Sequence, residues 1–295
     1  MSKPVRASVP VLVTGASSGL GTEFARRFAE RGHDVTLVAR RTDRLEAVAA
    51  EIRSAHGVAA HVVTADLETD AGRRSVVALL RRGPWILVNN AGYGSRGTFG
   101  ADLDPDREVA MVELNVRALV ELTGAVLPGC LGARTGGIIN LASTAAFQPV
   151  PHMATYAATK AFVLHFTEAV ATEHRGSGVR ITAVCPGPTR TEFGDVAGNM
   201  AELESLRPMA ADRCVEIALR AFDRGHTMVV TGWMNTAGSL APRLAPRAVV
   251  RRVLAPLFAP RRDSVSSASS PPTRRRAAPR SRAGGASARP RRRSP

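Results

Sequence analysis

Short continuous apolar runs alternate along the chain with stretches in which apolar residues return every three or four positions. Val9–Thr14 is a run of the first kind, and Leu20, Phe24, Ala25 and Phe28 follow it with helical spacing until Gly32. This pattern predicts a strand followed by a helix. The pair recurs as Asp34–Ala39 with Leu45, Val48, Ala49 and Ile52, and again as Val58–Thr64 with Val76, Val77 and Leu80. A strand at Trp85–Asn89 then leads into a long helix over about 106–127. Beyond it the periodicity predicts strands at Gly137–Ala142, Val179–Cys185 and Met228–Thr231, with helices over about 153–174 and 211–222 between them. The strands are apolar throughout rather than alternating, as expected of strands buried on both faces. Regular alternation of such strands with helices predicts an α/β fold, a doubly wound parallel sheet of about seven strands with helices on both faces. Ligands bind such sheets at the carboxyl ends of the strands, so the search for chemistry starts there.

The chain has 295 residues, 44% of them hydrophobic, enough for one large domain with a sizeable core. Its basicity is unevenly spread. Residues 261–295 hold eleven Arg and one Asp, and residues 239–260 hold four Arg and no acid, so the net +15 leaves only +1 for residues 1–238. That distribution excludes a basic body and divides the chain into three: a nearly neutral α/β domain at 1–238, an amphipathic basic segment at 239–262, and an Arg/Ser/Pro-rich tail at 263–295. The tail has too little apolar material to offset its ordering entropy and is expected to be disordered. Pro242, Pro246 and Pro256 leave only about 247–255 as a helical candidate in the middle segment. There, Arg243, Arg247 and Arg251 fall on one stripe beside apolar residues. The segment suits either a fold over the substrate pocket or an oligomer neighbour, or reversible contact with an anionic membrane surface. Near +10 of charge in the tail favours nonspecific polyanion contact. Cys130, Cys185 and Cys214 lie far apart without a CxxC pair, and the His residues form no HExxH, which excludes a disulfide framework and a Cys-based zinc site. No stretch of 18 uncharged apolar residues and no signal-peptide core is seen, so the expected compartment is the cytoplasm.

The first strand runs into Thr14-Gly15-Ala16-Ser17-Ser18-Gly19-Leu20-Gly21. Gly15 permits a tight turn, Gly19 lets the backbone approach a pyrophosphate, and Gly21 lets the helix pack closely on the sheet. The helix N-terminus adds free N–H groups and a partial positive charge for the phosphates. At the end of the second strand an NAD site places a carboxylate for the ribose 2′-hydroxyl. Here stand Arg40 and Arg41 instead, whose forked donors suit a 2′-phosphate. The expected cofactor is therefore NADP(H) in preference to NAD(H). Asp66, just past the third strand, is either an acceptor for the adenine amine or a helix N-cap.

Of 40 basic residues only Lys3 and Lys160 are lysine, and the only tyrosines are Tyr93 and Tyr156. Tyr156 and Lys160 are four apart in a helical pattern and share a face. A phenol with a pKa near ~10 is a poor acid–base group at neutral pH, and a neighbouring ammonium lowers that value by stabilising the phenolate. A compact ammonium also fits against ribose hydroxyls where a guanidinium would not, which gives a reason for a lysine kept in an Arg-rich chain.

The glycine turn, Asn89-Asn90-Ala91-Gly92, Asn115, Ser143, Tyr156-Ala157-Ala158-Thr159-Lys160 and Pro186-Gly187 resemble, in order and spacing, the short-chain dehydrogenase/reductase family, over about residues 7–235. Asn89–Gly94, Thr159–Phe166 and Cys185–Phe193 are similar in wording to its DltE-like reductases. The resemblance implies a Rossmann fold and a hydride-transferring oxidoreductase of carbonyls or secondary alcohols. In it Tyr156 is the proton donor and acceptor, and Lys160 lowers the Tyr156 pKa and holds the nicotinamide ribose. Ser143 binds the substrate oxygen, and Asn115 holds a backbone kink and a relay. It also implies cofactor contacts from Gly15, Ser17, Ser18, Gly19, Leu20, Gly21, Asp66, Leu67, Asn90, Ala91, Gly92, Pro186, Gly187 and Thr191. The metal set is none. A 3-oxoacyl-thioester reductase, or a non-catalytic NADP-binding protein that holds a partner through its tail, are the alternatives. Phe147, Phe193, Met200 and Trp233 are expected around an apolar substrate, and the two long helices are expected to pair with their copies in a homodimer or homotetramer.

Overall fold

The computed structural model describes residues 9–192, 208–244 and 246–259. Seven parallel strands form one sheet: β1 (Val11–Thr14), β2 (Val35–Ala39), β3 (Ala60–Thr64), β4 (Ile86–Asn89), β5 (Gly137–Leu141), β6 (Arg180–Cys185) and β7 (Met228–Val230), in the order β3-β2-β1-β4-β5-β6-β7. The order reverses between β1 and β4, and the crevice at their carboxyl ends is where such sheets take ligands. Register carries the signals to that edge: Thr14 pairs with Val38, and Asn89 with Asn140.

Helices α1 (Gly19–Glu30), α2 (Thr42–His56) and α7 (Ala211–Asp223) accompany one face of the sheet, and α3 (Asp70–Leu80), α5 (Leu119–Ala133) and α6 (Ala154–Glu173) the other. Successive strand residues feed opposite cores. Val11 and Val13 join Phe24, Phe28 and Phe222, whereas Leu12 joins Leu80, Leu122 and Val126. Each fully buried ring of this kind contributes about 1.5–3 kcal/mol. Helix α4 (Pro105–Val112) starts on Asp104, whose carboxylate accepts from the Asp106 N–H, with Pro105 in the first turn. It continues through a π-helical turn, Glu113–Ala118, into α5.

The long helix differs from the expected 106–127 by continuing past Pro128 to Ala133. Tertiary packing outweighs the proline there: Cys130 is fully buried, and its thiol donates to the Trp85 carbonyl at 3.3 Å. By length and composition the run Pro105–Ala133 could cross a membrane, with a mean hydropathy of 1.3 over 18 residues. In the fold its Leu122, Val126 and Cys130 pack on the sheet. The C-terminal part is also more helical than the prolines suggest. α8 (Trp233–Leu244) spans position 242, and α9 (Arg247–Phe258) contains Pro256. The expectations for Phe193 and Met200 and for the tail from residue 260 onward fall outside the described residues.

Candidate active site

The turn after β1 is built for close approach. Gly15 has φ +65°, and a Cβ there would stand 2.8 Å from the Asn90 amide nitrogen. A Cβ on Gly21 would run into the Gly15 carbonyl. The Asn90 side chain donates to the Thr14 and Gly15 carbonyls at 2.9 and 3.3 Å, and Thr14 Oγ1 accepts from the Asn90 and Ala91 N–H groups, each at 3.0 Å. The end of β4 thus clamps the turn. Ser18 precedes α1 without making a side-chain cap, and the first turn of α1 holds no acid. The positive end of a twelve-residue helix therefore faces the crevice uncapped, a fitting place for a pyrophosphate.

The two arginines after β2 are placed differently. Arg41 lies over the turn, donating to Ser17 Oγ at 3.1 Å, Ser18 Oγ at 3.0 Å and Glu192 Oε2 at 3.1 Å. Arg40 points to Glu68 Oε1 at 3.3 Å. Glu192 also takes Arg44 at 2.6 Å, and these guanidiniums hold its carboxyl below the usual range against the opposing effect of burial. Asp66 is not the N-cap of α3; that residue is Thr69, whose hydroxyl accepts from the Gly72 N–H at 3.1 Å. The Asp66 carboxylate instead accepts from the Glu68 N–H at 3.0 Å and, with Leu67, lines the crevice.

Ser143 caps the short 3-10 turn Thr144–Phe147, its hydroxyl accepting from the Ala145 N–H at 3.1 Å, and it is hydrogen-bonded to Tyr156. Tyr156 and Lys160, on the first turns of α6, are only 7% and 6% exposed. The ammonium sits 5.8 Å from the Tyr156 ring centroid and donates to the Leu141 carbonyl at 2.7 Å. The expected lowering of the phenol by this lysine is not the balance the fold strikes. Burial pushes Tyr156 up to about 12, with the Ser143 hydrogen bond opposing it, and burial pushes Lys160 down to about 8. Desolvation of the charged form is the largest effect at both groups.

Asn115 stands on the π-helical turn, nearly fully buried, and such turns gather at functional sites. Its side chain accepts from the Tyr93 N–H at 3.2 Å and donates to the Tyr93 carbonyl at 3.0 Å and to Thr159 Oγ1 at 3.1 Å. The extra residue of the π turn thereby fastens the segment after β4 to the helix bearing Tyr156 and Lys160.

One cleft of about 970 Å³ joins these parts, from Gly15, Ser17, Ser18, Gly19 and Leu20 past Arg40 and Arg41 to Asn90, Ala91 and Gly92, and on to Ser143, Tyr156 and Lys160. Pro186, Gly187 and Thr191 line it from the end of β6, whereas Asn115 and Gly21 lie behind its wall. Phe147 and Trp233 do not line it, and Trp233 is 81% exposed. The apolar wall beside Tyr156 is made by Tyr93, Val150, Met153 and Phe258 instead. Only Tyr93, as one of two tyrosines, stood out in the sequence. Also beyond its reach was a buried polar chain beneath the site, in which Asn89 donates to Asn140 at 2.9 Å and Asn140 to Thr167 at 2.9 Å. No period along the chain links these positions, which lie 51 and 27 residues apart.

Residues 10–202 match the short chain dehydrogenase family. Over 217 residues the chain is 36% identical to sulfoacetaldehyde reductase 2 of Chromohalobacter salexigens, covering 70% of this chain and 85% of that protein. It is 37% identical over 212 residues to serine 3-dehydrogenase of Rhizobium radiobacter, covering 68% and 83%. A solved short-chain dehydrogenase from Sphingobium yanoikuyae, in complex with NADPH, superposes with a TM-score of 0.74 at 38% identity over 82% of this chain and 95% of that one. With the sheet order, the glycine turn and the Ser143–Tyr156–Lys160 cluster in one cleft, these matches show that the chain belongs to the short-chain dehydrogenase/reductase family.

Proposed function

We propose that this protein is an NADP(H)-dependent oxidoreductase that interconverts a carbonyl compound and the corresponding alcohol. The observation that carries the reading is the junction of two features in one cleft. An uncapped helix N-terminus with a basic rim lies at one end, and a buried phenol paired with a hydroxyl and an ammonium lies at the other. The cradle fits the cofactor: glycines at 15 and 21 leave room that a Cβ would fill, and Arg41 and Arg40 provide donors for a 2′-phosphate. Relatives that are NADP-dependent by name are the 3-hydroxy acid dehydrogenases YdfG of Salmonella typhi and Salmonella typhimurium, each 38% identical over 195 residues. When bound, the nicotinamide supplies or takes up the hydride.

The chain's own residues handle the oxygen and its proton. Tyr156, kept protonated at neutral pH by burial, donates its proton to the developing alkoxide in reduction and takes it back in oxidation. Ser143, already bonded to Tyr156, offers its hydroxyl to the same oxygen and stabilises its negative charge. Lys160, anchored on the Leu141 carbonyl, presents its remaining N–H groups to the nicotinamide ribose, and Asn115 helps position it through its bond to the neighbouring Thr159. The wording of Asn89–Gly94 and Cys185–Phe193 favours the DltE-like reductases as the subgroup.

The test is NADPH oxidation against a panel of ketones and aldehydes, with NADP+ reduction by the matching alcohols. Tyr156→Phe should lower kcat by about 10²–10⁴ while leaving NADPH binding within about twofold, because only the proton-transferring group is lost. Wild-type turnover in that variant would overturn the assignment.

A further inference from the structure

Part of the wall of the cleft comes from beyond the family match at 10–202. Phe258, the last residue of α9, lines the cleft and packs against the buried cluster formed by Met111, Val150, Met153, Tyr156 and Ala157. Nothing in the local sequence requires this, because Phe258 is followed by extended backbone at Ala259. Its position is set from elsewhere. Arg96, in the segment after β4, donates from Nε to the Phe258 carbonyl at 2.9 Å and from Nη2 to the Ala259 carbonyl at 2.6 Å. A planar guanidinium that grips two successive carbonyls fixes both the position and the direction of the chain end.

The segment bearing Arg96 is itself braced. Ser95 donates to the buried Glu108 carboxylate at 2.5 Å, and the Gly97 N–H donates to the His152 carbonyl at 2.9 Å. His152 holds φ +65°, a left-handed conformation that costs a non-glycine residue of order 1 kcal/mol and persists only where surroundings impose it. Three segments, Ser95–Gly97, Val150–Met153 and Phe258–Ala259, thus lock together around the mouth of the site. The side chains that they turn toward Tyr156 are apolar: Val150, Met153 and Phe258.

We propose that Phe258, positioned by Arg96, is a specificity-determining residue, and that it selects carbonyl compounds with an apolar aryl or alkyl body over small polar ones. The inference rests on the oxidoreductase reading above. An apolar ring lining the cleft that holds Tyr156 contributes binding only to substrates that bring apolar surface to it, and a small hydroxylated carbonyl leaves the same surface wet. Arg96 touches no substrate in this account; it is a positioning residue.

The experiment compares steady-state NADPH oxidation with acetophenone or 2-octanone and with hydroxyacetone in wild type, Phe258→Ala, Phe258→Leu and Arg96→Ala. In Phe258→Ala the ratio of kcat/KM for the apolar ketone to that for hydroxyacetone should fall roughly tenfold, chiefly through KM. Phe258→Leu should recover most of it, because it restores apolar volume. Arg96→Ala should move the ratio in the same direction as Phe258→Ala, and the double variant should add little to either single change. A merely structural role for Arg96 would lower kcat/KM for both ketones alike and leave the ratio where it was. An active wild type whose ratio stays within twofold in both Phe258→Ala and Arg96→Ala overturns this inference alone. A wild type that oxidises NADPH with none of these carbonyls, nor with the wider panel, overturns the oxidoreductase reading and this inference with it.

Discussion

At the scale of single residues, partners decide what each charged group can do. Arg41 shares the exposed Glu192 with Arg44, and such a pair contributes no more than about 1 kcal/mol. A phosphate dianion can displace it. Glu192→Gln should therefore tighten NADPH by about two- to fivefold at low ionic strength and leave NADH unchanged. Arg41→Ala should weaken NADPH by about tenfold or more, and by more than Arg40→Ala, because Arg40 is directed to Glu68 rather than over the glycine turn. Fluorescence titration of the nicotinamide at constant salt measures all three. Lys160 adds a pH dependence. Burial lowers its pKa to about 8, so the group is cationic below that pH and neutral above it. Because kcat/KM reports the free enzyme, its value for NADPH-dependent reduction should fall as pH rises through about 8. A flat profile from pH 7 to 9 would separate Lys160 from cofactor binding. Over neutral pH Tyr156 stays protonated, with its pKa near 12, so its own titration should not bend the reduction profile there.

At the scale of elements, the crevice exists because β1, β4 and α1 meet at a turn with no room for side chains. Gly21→Val would force a branched side chain into the Gly15 carbonyl and the Asn90 amide. Ligand at about 100 times its Kd stabilises a protein by roughly 2.7 kcal/mol, so NADPH should raise the melting temperature of the wild type by several degrees. It should raise that of Gly21→Val by none. The melting temperature of the unliganded variant separates a lost site from a lost fold. The π-helical turn is the second element with a role of its own. It breaks the regular ladder between α4 and α5 and turns Asn115 inward, where it bridges the Tyr93 segment and Thr159. Glycines and strand ends that set the turn were legible in the sequence, because a turn is a matter of a few consecutive residues. The kink at Asn115 was expected only through the family resemblance, because the apolar pattern of the long helix does not by itself mark the π turn.

At the scale of the whole molecule, α4, α5 and α6 leave Val109, Val112, Val120 and Phe162 exposed beside the stacked pair Phe162–Phe166, whose ring centroids are 5.6 Å apart. Apolar groups on three adjacent helices suit burial against a second copy. Light scattering at micromolar concentration should find a dimer or larger species, and Phe162→Glu should shift it toward monomer; a monomeric wild type would refute the pairing. The same scale separates what the chain dictates locally from what folding decides. The seven strands, their helices, the glycine turn and the Tyr156–Lys160 spacing are properties of neighbouring residues, and periodicity and chemistry along the chain were sufficient to read them. Arg41 over the serines of the turn, the depth that raises Tyr156 and lowers Lys160, and the Asn89–Asn140–Thr167 chain all depend on which distant segments meet. The clearest case is the substrate wall: Arg96 and Phe258 are 162 positions apart, and no pattern along the sequence relates them. Only the packing of Phe258 on the cluster that holds Tyr156, with Arg96 gripping its carbonyl, brings that ring to the site. A side chain's surroundings, and hence its charge, its partner and its access to substrate, are set by contacts whose sequence separation no local rule can span.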